Sequence, residues 1–371
     1  MKIVQISPYA MSRPGGVQTH IRDLSVWLQS QGHDLRIICP PGDGAMAGNW
    51  EELGTHRNMH LHGTGFEISR ASRTDLRRKI NSLREWGADA VHLHTPWTPM
   101  LAWQLWRGLN LPTIATYHAT LPAGRGFDPI RWYIRRAGCY FARRMSAVIV
   151  PSQVPYDQWR AMGLIPDMVL PPAIDLSAWA AAGDQSADTP RPLRAIYLGR
   201  LEQRKGVALL PAIWQQVRQT LPDSELIIAG DGPLLPRLKA DIETHRIKGI
   251  TLRPAPDDST ARALVARADL FLAPALHGES FGLVLAEAMA AGTPPLAAAN
   301  AGFATVMTGA GAELLVPPGD GSAMADRIIT LAQDRETLVR LRDWGRNHAA
   351  AFDISSQGPT IIDLLRKSID Q

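Results

Sequence analysis

Two glutamates that lie eight residues apart, Glu279 and Glu287, stand in the segment with the clearest chemical pattern. Glu279 falls in a predicted loop, and the helix that follows carries Glu287 about two turns later, so both carboxylates can face one side. Each carboxylate can accept hydrogen bonds from two hydroxyl donors, which suits a sugar. A helix-capping role for Glu279 and a solvent-facing Glu287 are the alternatives, although the apolar residues 283–286 disfavour the second. The helix start also offers backbone N–H groups, from Phe281, Gly282 and Leu283.

Arg200 and Lys205 place positive charge after another predicted strand. A guanidinium and an ammonium can stabilise the charge that develops on a departing diphosphate without a metal ion. The chain contains no Asp-x-Asp motif that would hold a metal and a diphosphate together. A solvated cluster of charges in a loop is the alternative.

A glycine pair, Gly15 and Gly16, follows the first predicted strand and precedes a helix predicted over about 19–31. Free N–H groups and the helix dipole favour an anion at such a position. An ordinary glycine turn is the alternative, since the loop matches neither G-x-G-x-x-G nor G-x-x-x-x-G-K-[ST].

Two alternating histidine pairs, His60/His62 and His92/His94, could suggest a metal site. Alternation on a strand sets each pair on one face, but no carboxylate partner stands out. The sequence therefore predicts strand ends here, and no metal ion.

Short apolar runs alternate with amphipathic helical segments along the 371 residues, the pattern of parallel βαβ units. The segment 171–192, rich in Ala, Pro, Asp and Ser, reads as a linker. We expect an α/β protein with two Rossmann-like, doubly wound domains, 1–170 and 193–345, that face a central cleft. The strands predicted to build them are 3–7, 34–39, 90–94, 113–117 and 147–150 in the first domain, and 194–198, 225–229, 250–253, 270–273 and 295–298 in the second.

The bulk properties exclude several classes of protein. Two widely separated cysteines, Cys39 and Cys139, indicate neither a disulfide framework nor a zinc site, and fit a reducing cytoplasm. The most apolar window, 281–299, contains Glu287 and two prolines, which does not suit a membrane span. Residues 1–170 carry 19 Lys and Arg against 12 Asp and Glu, so this half is basic. Nothing resembles a nucleic-acid-binding motif.

Part of the excess of basic residues lies in a helix predicted over 70–86. Its Leu and Ile residues form a stripe beside several arginines, as in helices that lie on anionic lipid. Residues 131–144 have a similar basic and aromatic character. A stripe that packs on its own domain, with solvated arginines, is the alternative. The candidate residues of the first helix are Arg70, Arg73, Arg77, Arg78 and Arg84.

Three blocks together resemble the retaining glycosyltransferases of family 4, which have the GT-B fold, and the resemblance spans nearly the whole chain. They are Pro-Gly-Gly-Val-Gln at 14–18, Gly-Arg-x4-Lys-Gly at 199–206 and Glu-x7-Glu at 279–287. The match in motifs is greatest to phosphatidylinositol mannosyltransferases. The resemblance also implies a C-terminal helix within 346–371 that crosses back to the first domain.

The resemblance assigns a role to each matching residue. It implies that Gly16 approaches the donor phosphates, that Arg200 and Lys205 bind the diphosphate and that Glu279 holds the transferred sugar. Glu287 would bind the ribose hydroxyls. His118, after a predicted strand, matches the family's histidine beside the sugar; a packed loop histidine is the alternative.

The expected activity is transfer of a mannose- or glucose-type hexose from a GDP- or UDP-sugar to a lipid or glycolipid. No cofactor and no metal are expected, and the location is the cytoplasm, peripheral to the inner face of the membrane. Two alternatives stay open: transfer to a polyprenyl-linked or soluble glycan, and, more remotely, a Rossmann oxidoreductase or epimerase.

Overall fold

The computed structural model describes the chain except residues 14, 43–47, 62–63, 96–99, 119, 121–128 and 184–190, and except the side chains of 56–61, 64–68, 129–131 and 134. It divides into two compact units, Met1–Asp175 with Ile354–Gln371, and Leu176–Asp353. The strands are β1 Lys2–Ile6, β2 Asp34–Cys39, β3 Glu51–Glu52, β4 Thr55–Leu61, β5 Thr64–Arg70, β6 Ala90–His94, β7 Thr113–Thr116, β8 Ala147–Val150, β9 Met168–Val169, β10 Arg194–Leu198, β11 Glu225–Ala229, β12 Ile250–Arg253, β13 Leu270–Ala273, β14 Pro295–Ala298 and β15 Leu315–Val316. The helices are α1 Gly16–Ser30, α2 Arg73–Glu85, α3 Leu101–Leu109, α4 Pro129–Ala142, α5 Gln153–Ala161, α6 Ser177–Gly183, α7 Leu210–Thr220, α8 Leu235–Thr244, α9 Asp258–Ala266, α10 Leu283–Ala290, α11 Ala301–Val306, α12 Gly321–Gln333, α13 Arg335–Ala349 and α14 Ile354–Asp370.

The first unit contains a seven-stranded parallel sheet with the order β3-β2-β1-β6-β7-β8-β9. Alternate residues of its strands point to opposite faces. Val4 and Val91 enter a core with α2, α3 and α5 side chains, whereas Ile3 and Ala90 pack with α1 and α14 on the other face. This unit is therefore doubly wound, with helices on both faces of the sheet.

The second unit contains a six-stranded parallel sheet with the order β12-β11-β10-β13-β14-β15. Its interior strands β13 and β14 are buried along their whole length, as expected for strands covered by helices on both faces. Both units have the Rossmann-like architecture that the alternation of apolar runs and helices predicts.

The ten predicted strands are all present, and their ends agree to within one residue. A hairpin of β4 and β5, with Thr55 paired to Arg70, was not predicted. It corrects the predicted helix over 70–86, because Arg70 ends a strand and Ser72 caps the helix by accepting a hydrogen bond from the backbone N–H of Asp75. The helix therefore begins at Arg73.

The chain enters the second unit after Asp175 and leaves it after Asp353. The segment 171–192, predicted as a linker, is thereby divided between the two units, and α6 packs against α9 and α10 of the second. Residues 346–353 stay with the second unit, and 354–371 belong to the first, where α14 packs against α1 and the sheet.

Candidate active site

The order of strands in the second unit reverses between β10 and β13. Loops that leave the carboxyl ends of two such strands turn in opposite directions and open a crevice, where doubly wound sheets bind ligands. The loop after β10 carries Arg200 and Lys205, and the loop after β13 carries Glu279. The fold thus brings together the charged residues that sequence analysis selected.

Glu279 is the centre of a group of ion pairs. Lys205 Nζ lies 2.8 Å from Glu279 Oε1, and Arg204 Nη1 donates to the same oxygen at 3.1 Å. The Glu279 side chain is only 11% exposed. Among the described residues, none hydrogen-bonds Glu279 Oε2, so this oxygen is able to accept from hydroxyl groups.

Arg200 lies at the open side of this group and pairs with a different carboxylate. Its Nη2 is 2.6 Å from Glu202 Oε1, and its side chain is 69% exposed. Glu202 also accepts from Arg204 Nε at 3.1 Å, so it bridges the two arginines. Together with Lys205 and Glu279, these residues carry a net charge of +1. The surplus favours an anionic ligand.

Backbone contacts hold the two loops together. Gly206 has φ +68°, and a Cβ there would lie 1.9 Å from the carbonyl oxygen of Pro274, so only glycine allows this approach. The Leu276 N–H donates to the Arg204 carbonyl at 2.8 Å. Lys205 and Glu279 are therefore positioned by backbone geometry as well as by their own charges.

Helix α10 begins beside this group. Its N-cap, Gly282, has φ +114°, and the buried Phe281 ring packs edge-on against Phe352 with centroids 5.2 Å apart. Phe281 and Gly282 can therefore offer a ligand only backbone groups, as can the half-buried Leu283 through its N–H. Glu287 lies half-buried on α10, two turns beyond Glu279.

In the first unit, α1 begins at Gly16, with Gly15 as its N-cap and no side-chain cap. The N–H groups of this first turn have no partner within the helix. The geometry suits an anion at Gly15 and Gly16. That an anion binds there stays a prediction. The preceding Pro14 lies outside the described residues.

His118 follows β7 and joins a buried network of polar side chains. Its Nε2 lies 2.9 Å from His94 Nδ1, and His94 Nε2 lies 2.8 Å from Gln5 Oε1. His92 Nε2 lies 2.8 Å from Thr116 Oγ1. Successive residues of a strand point to opposite faces of the sheet. Gln5 therefore lies on the same face as Ile3, and His92 and His94 lie on the same face as Ala90, which is the face that packs against α1.

Burial keeps these imidazoles neutral, because desolvation disfavours the charged form. It lowers the pKa of His20 to about 4, against a smaller opposing effect of the hydrogen bond to Ala173. It lowers the pKa of His92 to about 3 and holds the pKa values of His94 and His118 well below the usual range.

The sequence alone does not indicate that Arg204, His20 and Gln5 contact the predicted site residues. Arg204 adjoins Lys205 in the same block, and its pairing with Glu279 depends on the path of a 3₁₀ turn. His20 and Gln5 lie on different elements and meet His94 only in the folded sheet. His62 and the side chain of His60 lie outside what the structure describes.

The chain is similar to known glycosyltransferases along most of its length. The Glycosyltransferase Family 4 profile matches residues 14–178, and the profile of glycosyl transferases group 1 matches 184–348. The chain is 29% identical to phosphatidyl-myo-inositol mannosyltransferase of Propionibacterium freudenreichii over 98% of this chain and 94% of that one. It is 28% identical to the protein of the same name from Mycolicibacterium smegmatis, over 90% and 85% of the two chains. Among solved structures, Anabaena HepE in complex with UDP and glucose has a TM-score of 0.75 at 18% identity, covering 99% of each chain.

Two Rossmann-like units, with a cluster of cations and carboxylates at the switch point of the second, define a glycosyltransferase of the GT-B fold. The two profiles together span most of the chain, from residue 14 to residue 348. The chain belongs to glycosyltransferase family 4.

Replacing Lys205 with alanine should lower kcat by roughly 10²- to 10³-fold, because the positive charge that we expect to stabilise the departing group is lost. Arg204→Ala should have an effect of similar size, and Arg200→Ala a clear loss. The measurement is steady-state transfer by purified variants. Arg237→Ala, which removes an exposed ion pair with Asp241 on α8, is the control and should keep normal turnover. Near-normal kcat for both Lys205→Ala and Arg204→Ala would contradict the assignment.

Proposed function

We propose that this glycosyltransferase moves a hexose of the mannose or glucose type, with retention at the anomeric carbon, from a nucleoside diphosphate sugar to a lipid or glycolipid acceptor. The observation that carries the proposal is the group of ion pairs around Glu279, which combines surplus positive charge with a carboxylate oxygen open to hydroxyl donors. The relatives named phosphatidyl-myo-inositol mannosyltransferase support the acceptor class. UDP and glucose in the HepE structure support a nucleotide sugar as donor.

The cations of this group have the chemistry to bind a diphosphate. Arg204 and Lys205 are partly buried, with side chains 26% and 20% exposed. Charges held in such a partly dry site stabilise a leaving phosphate more strongly than charges in water. Arg200, which is largely exposed, can turn from Glu202 toward the same phosphates.

The carboxylates provide the sugar contacts in this proposal. Glu279 Oε1 is held by two cations, which leaves Oε2 to accept from hexose hydroxyls. Glu287 binds the ribose hydroxyls, and His118 contacts the transferred sugar. These three roles follow from the family motifs.

We also propose that transfer needs no metal ion. Three cations, Arg200, Arg204 and Lys205, lie in the loop after β10 and are linked through Glu202 and Glu279, where the proposal places the diphosphate. They supply the charge that a divalent ion supplies at Asp-x-Asp sites.

Transfer should therefore persist in excess EDTA. The assay uses purified chain with UDP-glucose or GDP-mannose as donor and phosphatidylinositol, a polyprenyl phosphate or a free glycan as acceptor, with and without chelator. We expect one donor to give a lipid product at an unchanged rate in EDTA. Loss of activity that Mg²⁺ or Mn²⁺ restores would disprove the metal-independent mechanism. A product only on the free or polyprenyl-linked glycan would disprove the lipid acceptor.

The basic face of the first unit supports a membrane-bound acceptor. On α2, Arg73, Arg77 and Arg84 are exposed, while Ile80 and Leu83 are buried in the unit's own core. The apolar stripe of α2 is thus unavailable to lipid, and this helix can contribute only charge. A groove of about 740 Å³ beside α2 is lined by four cations, Arg70, Arg73, Arg78 and Lys79, and by two carboxylates, Glu52 and Asp75, so its net positive charge suits an anionic headgroup.

Helix α4 carries exposed aromatic side chains beside arginines. Trp132 and Tyr133 are 52% and 51% exposed. Arg136 lies over the Trp132 ring at 5.2 Å, and Arg144, just after the helix, lies over Tyr140 at 4.0 Å. Aromatic rings beside arginines are typical of residues at the level of lipid headgroups. No helix in the described part of the chain is long and apolar enough to cross a bilayer.

Binding to anionic vesicles should depend mainly on α4. We expect Trp132→Ser combined with Arg136→Ser to abolish co-sedimentation with vesicles of phosphatidylglycerol and phosphatidylcholine at low salt. Arg73→Ser, Arg77→Ser and Arg84→Ser together should weaken it by about 1 kcal/mol per charge at most, an effect that salt reduces. Phosphatidylcholine vesicles and the variant Arg237→Ser are the controls. If the α4 variant pellets like the wild type, the acceptor does not reach the enzyme through this face.

A further inference from the structure

A second cluster of chemically capable side chains lies in the first unit. His20 on α1, His94 at the end of β6 and His118 after β7 each place a ring nitrogen within 4.8 Å of the others. His20 and His94 are buried, and His118 is half-buried. The proposed transfer reaction uses only His118, so the other two histidines require a separate explanation.

A chain of hydrogen bonds fixes which nitrogen of His94 carries the proton. Ser25 Oγ donates to the Ile21 carbonyl at 2.8 Å, so it can accept from Gln5 Nε2, 2.9 Å away. This sets Gln5 Oε1 toward His94 Nε2, which must donate to it. His94 Nδ1 is consequently unprotonated, and its lone pair faces His118 Nε2 at 2.9 Å.

A hydrogen bond also fixes which nitrogen of His20 carries the proton. Its Nδ1 lies 2.8 Å from the Ala173 carbonyl, which can only accept, so Nδ1 carries the proton. Its Nε2 is then a bare lone pair, buried and without a hydrogen-bond partner among the described residues. Burying such an acceptor unpaired costs stability.

We propose that His20, His94 and His118 form a binding site for a divalent transition-metal ion such as Zn²⁺. Imidazole nitrogens are ligands that zinc prefers, and three of them with one water complete a tetrahedral site. Histidines that bind a metal typically donate their other N–H to an oxygen acceptor. His20 and His94 already do so, to the Ala173 carbonyl and to Gln5 Oε1.

The site needs only small movements to close. Tetrahedral zinc with nitrogen ligands at 2.0–2.1 Å sets those nitrogens about 3.4 Å apart. His94 Nδ1 and His118 Nε2 are 2.9 Å apart, and one ring nitrogen of each of the three histidines lies within 4.8 Å of the others. The half-buried His118 ring can turn to fit. It releases the Nε2 proton to water and takes a proton at Nδ1, so the three ligands stay neutral and the bound ion brings its whole charge.

Metal at this site competes with the role of His118 in transfer. A metal ion bound to His118 Nε2 replaces the hydrogen bond between this nitrogen and His94 Nδ1. It also fixes the orientation of the His118 ring and places a double positive charge beside it. Zinc therefore inhibits transfer, and chelation of zinc restores it. The inhibition rests on the proposed function of His118, whereas the binding does not.

The test is a titration of the untagged full chain with Co²⁺ and Zn²⁺ at pH 7.5, followed by Co²⁺ visible absorption and by calorimetry. We expect one ion per chain, a tetrahedral Co²⁺ spectrum and displacement of Co²⁺ by Zn²⁺. His20→Ala and His118→Ala should each weaken binding at least about 100-fold. Gln5→Met removes the acceptor that orients His94, together with the N–H donor to Ser25, and leaves all three histidines in place; it should weaken binding about 10- to 100-fold.

His245→Ala is the control, because His245 is exposed at the end of α8 in the other unit, and it should bind like the wild type. Circular dichroism checks that each variant is folded. If His20→Ala fails to fold, metal binding by His118→Ala and Gln5→Met tests the proposal. Absence of 1:1 binding, or binding that these variants leave unchanged, overturns the proposal. Binding of zinc without loss of transfer would keep the site and overturn the role of His118.

Discussion

The ion pairs that Lys205 and Arg204 make with Glu279 are the contacts on which the proposed donor site depends. They connect the loops after β10 and β13, on either side of the point where the strand order reverses. Exposed ion pairs contribute about 0–1 kcal/mol to stability, and burial adds a desolvation cost that offsets the attraction. The pairs therefore matter less for stability than for position, since they hold two cations and one open carboxylate oxygen at fixed places before a donor arrives.

The same sheet geometry gives the two units different chemistry. In the second unit, the switch point collects charged residues that remain partly in contact with water. In the first unit, the carboxyl ends of β6 and β7 carry histidines that α1 covers, so they stay neutral and bind one another, Gln5 and the backbone. A charged site suits a diphosphate, and a neutral nitrogen-rich site suits a transition-metal ion.

Features with local causes were predictable from the sequence. Apolar runs such as 270–273 gave strands with correct ends, and motifs such as Gly-Arg-x4-Lys-Gly sit in the loops where doubly wound folds bind ligands. Features that depend on distant residues were not predictable. Arg70 was assigned to a helix because the pairing of β4 with β5 cannot be read from either segment alone. Gln5 and His20 carried no signal, because their roles arise only when β1, β6 and α1 come together.

The most direct test of the account separates the two functions assigned to the cluster around Glu279. The measurement is calorimetric binding of UDP and UDP-glucose, and of GDP and GDP-mannose, to wild type, Lys205→Met and Glu279→Gln. With the preferred nucleotide, Lys205→Met should weaken binding of both the diphosphate and the sugar donor. Glu279→Gln should weaken the sugar donor alone and bind the free diphosphate as well or more tightly, since it removes a negative charge and frees Lys205. Equal weakening of both ligands by Glu279→Gln, or no effect of Lys205→Met on either, would contradict the account.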